Sequence, residues 1–418
     1  MNKILNIFNS NLLLSLIFIN YIIYFVFDTN IFFIYFSSII FLVFFLILYA
    51  NLKLKLYIVL TILILSIISL GSPVSDWDAR SIWLFNSKRI FFNQSLNEYT
   101  NYIGSEFSHL DYPILVQTLS ASLAKLIGNW NEVFPKYSSI IMALPAFIII
   151  SDFLKNKIDK LIFFILIFFI YEKRLINGDM DALLGLYTIS SLILLINFSK
   201  INKFNFNNYL TLFLYLMTLT MIKVEGLAIF FCLVISYLIV FYNHRKKSNN
   251  YLILIFGISL LPIITWKIFI YDTGVISSSN LMISNGERFI DNLTNFKFIL
   301  VLIKYILLNK QMFISLILLI FALSKYFSIN KNTLLFMINK NFFKKEIIFI
   351  FLNILSYGLI LFLVFIMSEG SPNNYSEIEY FMAKSSSDRL FLPSLFQVLC
   401  IYLLMIDYYV LIILLLLV

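Results

Sequence analysis

Residues 31–50 have the sequence IFFIYFSSIIFLVFFLILYA, an uncharged run that is long enough to cross a bilayer as a helix. Spanning about 30 Å of hydrocarbon takes about 20 apolar residues in helical form. Comparable runs occur at Tyr251–Tyr271 and Ile347–Met367. These runs are apolar on every face, whereas strands of a membrane barrel alternate every second residue. The sequence therefore predicts an all-α polytopic membrane protein.

Composition and charge support this prediction. Hydrophobic residues make up 61% of the 418 positions and charged residues only 13%. The net charge of +9 comes from short Lys and Arg clusters between apolar runs, a pattern typical of cytoplasmic loops and not of nucleic-acid binding. Cys232 and Cys400 both lie inside apolar runs and say little about the redox compartment.

The basic clusters predict a topology with a cytoplasmic N-terminus. The richness in Ile, Phe, Asn and Lys is typical of an AT-rich bacterial genome and favours a bacterial inner membrane. Residues 112–127 and 291–308 are predicted to be helices at the outer surface or re-entrant, because counting them as spans would invert the later clusters. Outer loops are then expected at 71–111 and 368–388, within a single domain of residues 1–418. About twelve spans are predicted: Leu12–Phe27, Ile31–Ala50, Leu56–Leu70, Tyr137–Ile150, Leu161–Tyr171, Ala182–Phe198, Leu210–Ile222, Leu227–Tyr242, Tyr251–Tyr271, Phe313–Phe327, Ile347–Met367 and Leu390–Ile406.

The first outer loop begins with an acidic motif, Ser75-Asp76-Trp77-Asp78-Ala79-Arg80, directly after a predicted helix. A carboxylate beside low-dielectric surroundings has a raised proton affinity, which suits a general base. Asp76 and Asp78 are the two carboxylates of the motif that could serve as that base. Arg80 is a candidate for binding substrate, and Lys88 and Arg89 are candidates for attracting an anionic head group. The competing interpretation is an interfacial belt of tryptophans with solvated acids.

Further polar residues are predicted to lie on the same side. His109, Asp111 and Tyr112 open the 112–127 helix, with Pro113 near its first turn, where a missing N–H is harmless. Two histidines are too few for a histidine-rich metal site.

Three later positions complete the candidate set. Asp179 and Asp181 precede a span and are candidates for binding a divalent cation such as Mg²⁺ or Mn²⁺. Lys223 and Glu225 lie between two apolar runs, where ionisable groups are costly and tend to be functional, although mutual pairing would also explain them. Arg389 begins a late span and would hold a phosphate or form a salt bridge.

Taken together, these motifs resemble the GT-C superfamily of membrane glycosyltransferases, which includes protein O-mannosyltransferases and bacterial aminoarabinose transferases. The similarity lies in the order of the motifs: Asp76 to Arg80, His109 to Pro113, Asp179 to Leu183, Lys223 to Gly226, and Arg389. It covers residues 56–406. A long soluble C-terminal domain, present in some members, is missing from this pattern, which argues against protein or peptide acceptors.

The resemblance implies inverting transfer of a sugar from a polyprenyl-phosphate donor to a lipid or glycan acceptor at the outer face. Asp78 would be the base that deprotonates the acceptor hydroxyl, with Asp76 as the alternative for that role. Arg389 and Lys223 would stabilise the departing lipid phosphate, and Asp179 and Asp181 would orient the acceptor or bind a cation.

Other classes remain open at this point. A flippase or transporter of lipid-linked saccharides would place charges near mid-membrane, often in two related halves. An O-antigen polymerase or ligase would have its main loop late in the chain. A membrane scaffold would leave the paired acids without a role.

Overall fold

The computed structural model describes residues 2–52, 55–93, 96, 109–154, 160, 163–164, 174–200, 205–241, 246–275, 294–296, 299–300 and 337–367. Every regular element in these ranges is helical, which confirms the all-α prediction. The helices are α1 (Asn2–Phe27), α2 (Phe33–Leu52), α3 (Leu56–Gly71), α4 (Leu84–Phe91), α5 (Leu115–Ile127), α6 (Ser138–Phe153), α7 (Asp181–Lys200), α8 (Phe206–Ile222), α9 (Val224–Phe241), α10 (Lys246–Ser259), α11 (Leu261–Asp272) and α12 (Met337–Met367).

Among the described residues, six helical segments are long and apolar enough to cross a membrane. They are Ser10–Phe27, Phe33–Leu52, Pro135–Phe153, Asp181–Lys200, Val224–Phe241 and Tyr251–Asp272. Parts of the prediction lie outside the described residues. These are the predicted spans Phe313–Phe327 and Leu390–Ile406, most of the predicted span Leu161–Tyr171, most of 291–308 and all of the 368–388 loop. The total of about twelve therefore stays a prediction.

The described chain divides into two compact units. The first contains the residues up to Leu227 together with 247–275, and the second contains 228–246 with the described residues from 294 onwards. In the first unit, α7 packs against α6 and α8, while α5 packs against α1, α2 and α4. In the second, Tyr237 and Phe241 of α9 pack edge-on against Phe349 of α12. All the candidate site residues described below belong to the first unit.

Two predicted helices differ in detail from the structure. The predicted span Tyr251–Tyr271 is interrupted at Leu260, which separates α10 from α11. Pro262 lies in the first turn of α11, and its ring and missing N–H disfavour a continuous helix through this point. The 112–127 helix begins only at Leu115, so Pro113 precedes the helix and is not in its first turn.

Helix α5 is buried along its length and makes polar contacts with its neighbours. Asn20 of α1 donates a hydrogen bond to Ser122, at 2.8 Å, and the hydroxyls of Ser120 and Ser138 are 2.7 Å apart. Gly128, with a φ of +86°, ends the helix in the left-handed conformation that favours glycine. At 13 residues, α5 is about 20 Å long and shorter than the hydrocarbon core, and its placement at the outer surface stays a prediction.

The predicted 71–111 loop contains helical structure at its start. A five-residue π-helix, Ala79–Trp83, leads directly into α4. Such π-helical turns are rare and often occur at functional sites. The acidic motif is therefore helical from Trp77 onwards, while Ser75 and Asp76 directly precede this helical segment.

Gly226 lets the first turn of α9 approach α8 closely. A Cβ atom at this position would lie 2.0 Å from the carbonyl oxygen of Leu219 and 3.2 Å from the side chain of Leu184. The first of these atoms is backbone, so it can move only if α8 shifts. The glycine thus sets how near the two helices come just beside Lys223.

We expect Gly226→Ala to lower the free energy of unfolding by about 2 kcal/mol, because overpacking a close contact typically costs 1–3 kcal/mol. Urea unfolding in detergent micelles, followed by tryptophan fluorescence, measures the change. Gly257→Ala is the matched control, since a Cβ there meets no atom within 4 Å and alanine favours the helix. Equal stability of the two variants would contradict the close approach.

Candidate functional site

Two buried carboxylates begin helix α7. Asp181 is its first residue, and its backbone N–H donates to Oδ1 of Asp179 at 3.2 Å. The exposed fractions of Asp179 and Asp181 are only 1% and 2%. Gly178 permits the turn before them through its φ of +84°. Carboxylates at a helix N-terminus are favoured by the partial positive charge there.

Lys223 is the single non-helical residue between α8 and α9. Its ammonium lies 2.9 Å from Oδ1 of Asp181 and 3.2 Å from Oε1 of Glu225, which is in the first turn of α9. Burial alone lowers the pKa of Lys223, but the carboxylates of Asp181 and Glu225 outweigh burial and hold that pKa well above its usual value. Lys223 therefore stays charged and links α7 to α9.

Arg174 supplies the second cation of the cluster. Its Nη1 atom is 3.3 Å from Oδ2 of Asp181 and 3.8 Å from Oδ2 of Asp179. About a quarter of the side chain is exposed (24%), so solvent reaches it, whereas the two aspartates are closed off. Within the described residues, the Nε and Nη2 atoms of Arg174 make no hydrogen bond. One edge of the guanidinium is thus free to bind an anion.

Tyr112 covers one side of this cluster. Its ring stacks on His109 at 5.0 Å and against Trp83 of the π-helix at 5.4 Å, measured between centroids. The Lys223 ammonium is 5.9 Å from the ring centroid of Tyr112, within the range of a cation–π contact. Burial raises the pKa of the Tyr112 phenol, and the charge of Glu225 acts in the same direction, so the hydroxyl stays protonated.

Asp111 attaches the same turn to helix α11. The indole N–H of Trp266 donates to the Asp111 carbonyl at 3.0 Å, and the ammonium of Lys267 is 3.9 Å from the Asp111 carboxylate. Asp111 is buried, with 2% exposed. These contacts give Asp111 a structural role in holding Tyr112 over the cluster.

The acidic motif of the first loop forms a compact turn. Asp76 accepts a hydrogen bond from the backbone N–H of Asp78 at 3.0 Å, and both side chains are partly buried. The Arg80 side chain is exposed, and its Nε donates to the Val74 carbonyl at 2.7 Å. The loop is joined to the turn before α7, because the amide of Asn177 donates to the hydroxyl of Ser75 at 3.3 Å.

The structure brings together five of the residues predicted from sequence. Asp179, Asp181, Lys223, Glu225 and Tyr112 form one cluster, and Asp76 interacts electrostatically with Asp179.

Other predicted site residues lie apart from these contacts. Lys88 is exposed on α4, and Arg80 is directed to the backbone of its own loop. His109, with a φ of +45°, contacts the cluster only through the ring of Tyr112. Arg389 lies outside the described residues.

Sequence reasoning missed two basic residues. Arg174 lies in the same predicted outer loop as Asp179 and Asp181, and an arginine five and seven residues before two acids was the signal available. Lys136 has a side chain with no exposed surface and donates to the hydroxyl of Ser72 at 3.2 Å. Nothing in the sequence distinguished Lys136 from other lysines that flank apolar runs.

Asp179 has an unusual protonation equilibrium. Burial raises the pKa of Asp179 to about 7, with the charges of Asp181 and Asp76 acting in the same direction and those of Lys223 and Arg174 opposing them. Its Oδ2 atom is buried and accepts no hydrogen bond. The cluster contains two cations and three carboxyl groups: Arg174, Lys223, Asp179, Asp181 and Glu225. When Asp179 is protonated, the charges of these five side chains therefore sum to zero.

We expect Asp179→Asn to stabilise the protein at pH 8 more than at pH 5. A carboxyl group whose folded pKa is raised stabilises the fold when protonated, and this contribution is lost as the pH rises from about 4, the unfolded pKa, to about 7. The wild type should therefore lose on the order of 2 kcal/mol between pH 5 and 8 that the variant keeps. Urea unfolding at the two pH values tests this, with the exposed Asp272→Asn as control. Parallel pH curves for Asp179→Asn and wild type would contradict it.

Among the described residues, no group of three or more His, Cys, Asp or Glu side chains is placed to hold a metal ion. The divalent cation expected from sequence therefore stays a prediction. Arg174 and Lys223 already occupy the positions around Asp181 where a cation would bind.

No protein-family model matches this chain, and no curated protein and no solved structure is detectably similar to it. Its function is therefore inferred from its own residues.

Proposed function

We propose that this protein is a GT-C-like inverting glycosyltransferase that moves a sugar from a polyprenyl-phosphate donor to a lipid or glycan acceptor. The observation that carries the proposal is the convergence of three separate segments on one charged cluster. The loop with Asp76, the acidic pair before α7 and the Lys223 link meet in an otherwise apolar helix bundle. Buried ionisable groups in such a bundle are costly and mark functional sites. The site would face the periplasm of a bacterial inner membrane.

The cluster has the groups that this reaction needs. The bond between the anomeric carbon and the phosphate oxygen breaks, and its electron pair leaves with the lipid phosphate. The acceptor oxygen bonds to the same carbon from the opposite face, and its proton passes to a carboxylate. A cation beside the phosphate and a carboxylate beside the acceptor are therefore required.

Asp76 is the better candidate for the base. Its charge acts on Asp179, which relates it directly to the buried cluster, whereas Asp78 contributes a backbone N–H that orients the Asp76 carboxylate. Both carboxylates are partly buried, so an acceptor hydroxyl can reach either, and the relation to Asp179 is what favours Asp76. Asp78 is thereby assigned a supporting position in the same turn.

Arg174 is the candidate for binding the donor phosphate. Lys223 is closed in by Asp181 and Glu225, while Arg174 presents a free guanidinium edge to solvent. A planar guanidinium binds phosphate through two parallel hydrogen bonds. Arg174 is thus proposed for the role that the resemblance implied for Lys223 together with Arg389, and Lys223 holds the carboxylates in place.

We expect Arg174→Met to reduce kcat/KM for the donor by about 10²-fold, because it removes a charge-assisted bidentate contact. Arg174→Lys should recover part of the loss, since the charge returns without the planar fork. Steady-state transfer assays with varied donor concentration measure both. Lys125→Met, which removes a cation that lies over Phe91, is the control. An unchanged kcat/KM in Arg174→Met would place the phosphate elsewhere.

The proposal is tested by incubating the purified protein in lipid nanodiscs with a panel of polyprenyl-phosphate sugars and candidate acceptors. Release of free polyprenyl phosphate that depends on the acceptor is the expected result. Movement of the intact lipid-linked sugar across proteoliposomes, without release of phosphate from any donor, would instead establish a flippase.

A further inference from the structure

Lys136 is a fully buried lysine outside the charged cluster. It lies in the 3₁₀ turn Pro135–Tyr137 before α6, and its side chain has no exposed surface. Its ammonium donates to the carbonyl and the hydroxyl of Ser72, the residue that ends α3. Among the described residues, no carboxylate lies within ion-pair distance of it. Burying an ammonium is costly, so its place in the fold needs an explanation.

One side chain connects the two acidic motifs of the site. At its base, the Cβ of Lys136 lies 3.1 Å from where a Cβ on Gly178 would be, directly before Asp179. At its tip, the ammonium bonds Ser72, four residues before Asp76. A cation at this position is also favoured by the negative end of the α3 dipole.

Two further hydrogen bonds join the same segments. The hydroxyl of Ser69 donates to the Ile176 carbonyl at 3.2 Å, and the amide of Asn177 donates to the hydroxyl of Ser75 at 3.3 Å. Both are neutral and therefore weaker than a bond from an ammonium. Lys136 thus adds a charged hydrogen bond between the end of α3 and the 3₁₀ turn that packs against Gly178.

We propose that Lys136 is a positioning residue that holds the loop with Asp76 against the turn with Asp179. It touches neither substrate, and it acts by fixing where the Asp76 carboxylate stands. The effect of Lys136 on catalysis rests on the proposed glycosyl transfer. Its effect on the position of the Asp76 loop does not depend on that function.

A cross-linking experiment tests the placement without any donor. In a background of Cys232→Ser and Cys400→Ser, the pair Ser75→Cys and Asn177→Cys reports the distance between the two segments through a short thiol-specific bifunctional reagent. We expect Lys136→Met to slow this cross-link about tenfold, because a hydrogen bond from a charged donor is lost. An unchanged rate would overturn the proposal.

A second cysteine pair controls for folding. Asn11 donates to Thr211 at 2.8 Å elsewhere in the same unit, so Asn11→Cys with Thr211→Cys should cross-link equally with and without Lys136. If Lys136→Met abolishes this control as well, Lys136→Gln is used instead, since it keeps a buried hydrogen-bond donor. The Ser75–Asn177 cross-link should still slow selectively in that variant, and equal rates for both pairs would overturn the proposal.

Kinetics then separate positioning from a general loss of structure. Lys136→Met should lower kcat about 10²-fold with the donor KM unchanged, because a small displacement of a catalytic group has this effect. Adding Asp76→Asn to Lys136→Met should cause little further loss, since both changes remove the same function. Fully additive losses would mean that Lys136 does not act through Asp76.

Discussion

Replacing Asp76 by Asn is expected to reduce sugar transfer by about 10²–10⁴-fold, the usual contribution of a general base. Asparagine preserves the size of the side chain and still accepts the hydrogen bond from the Asp78 N–H, so the turn should keep its shape. The donor KM should change little, because Arg174 and not Asp76 is proposed to bind the phosphate. The measurement is acceptor-dependent release of polyprenyl phosphate under saturating donor.

Comparison with Asp78→Asn distinguishes the two carboxylates. Asp78→Asn leaves the backbone N–H that orients Asp76, so a loss smaller than that of Asp76→Asn is expected. The exposed Asp272→Asn serves as a control for removal of a negative charge. A larger loss in Asp78→Asn would return the role of base to Asp78, as the resemblance to the GT-C superfamily implied.

Replacing Lys223 by Met is expected to lower the free energy of unfolding by about 3–5 kcal/mol, the usual effect of removing one partner from a buried ion pair. Asp181 would lose its contact with the Lys223 ammonium but keep that with Arg174, and Glu225 would lose its ion-pair partner among the described residues. Three carboxylates would then face one cation. Urea unfolding in detergent micelles at neutral pH measures the loss, and Lys88→Met, on the exposed face of α4, is the control.

The pH dependence of Lys223→Met gives a further check on its cause. In the wild type, the ion pairs of Lys223 persist throughout the neutral range. The raised pKa of Lys223 keeps its ammonium charged until the pH exceeds about 10, the usual pKa of a lysine. In the variant, protonation of the unpaired carboxylates relieves their repulsion. The difference in stability from wild type should therefore shrink between pH 8 and 5. A constant difference would point to lost packing instead of unpaired charge.

The helices were largely predictable because long uninterrupted apolar runs in the sequence identify membrane-spanning segments. The predicted span at Ile31–Ala50 corresponds to α2, and Leu56–Leu70 to α3, within a few residues. The interruption at Leu260 was not predicted, although Pro262 was visible, because a proline inside an apolar run is tolerated in many membrane helices.

The sequence predicted several residues of the site, but it did not predict which of them contact each other. Acidic residues in a chain of this hydrophobicity are few, so Asp179 and Asp181 stood out in the sequence. Their partners depend on which helix ends meet, and hydropathy carries no such information. Lys136 was missed for this reason, since it bonds Ser72, which is 64 residues away in the chain. Arg174 lies only seven residues before Asp181, but the sequence did not show that the two side chains pair.

Because Lys223 is the only residue between α8 and α9, the connection cannot absorb a change in length without moving one of the two helices. One helical residue corresponds to a rotation of about 100° around the helix axis. A chain lengthened by one residue after Lys223 would carry the Glu225 carboxylate about a quarter turn away from the ammonium and move Gly226 off the Leu219 carbonyl. The spacing of Lys223, Glu225 and Gly226 therefore has to be kept exact to the residue, and we expect insertions to be tolerated least at this point of the hairpin.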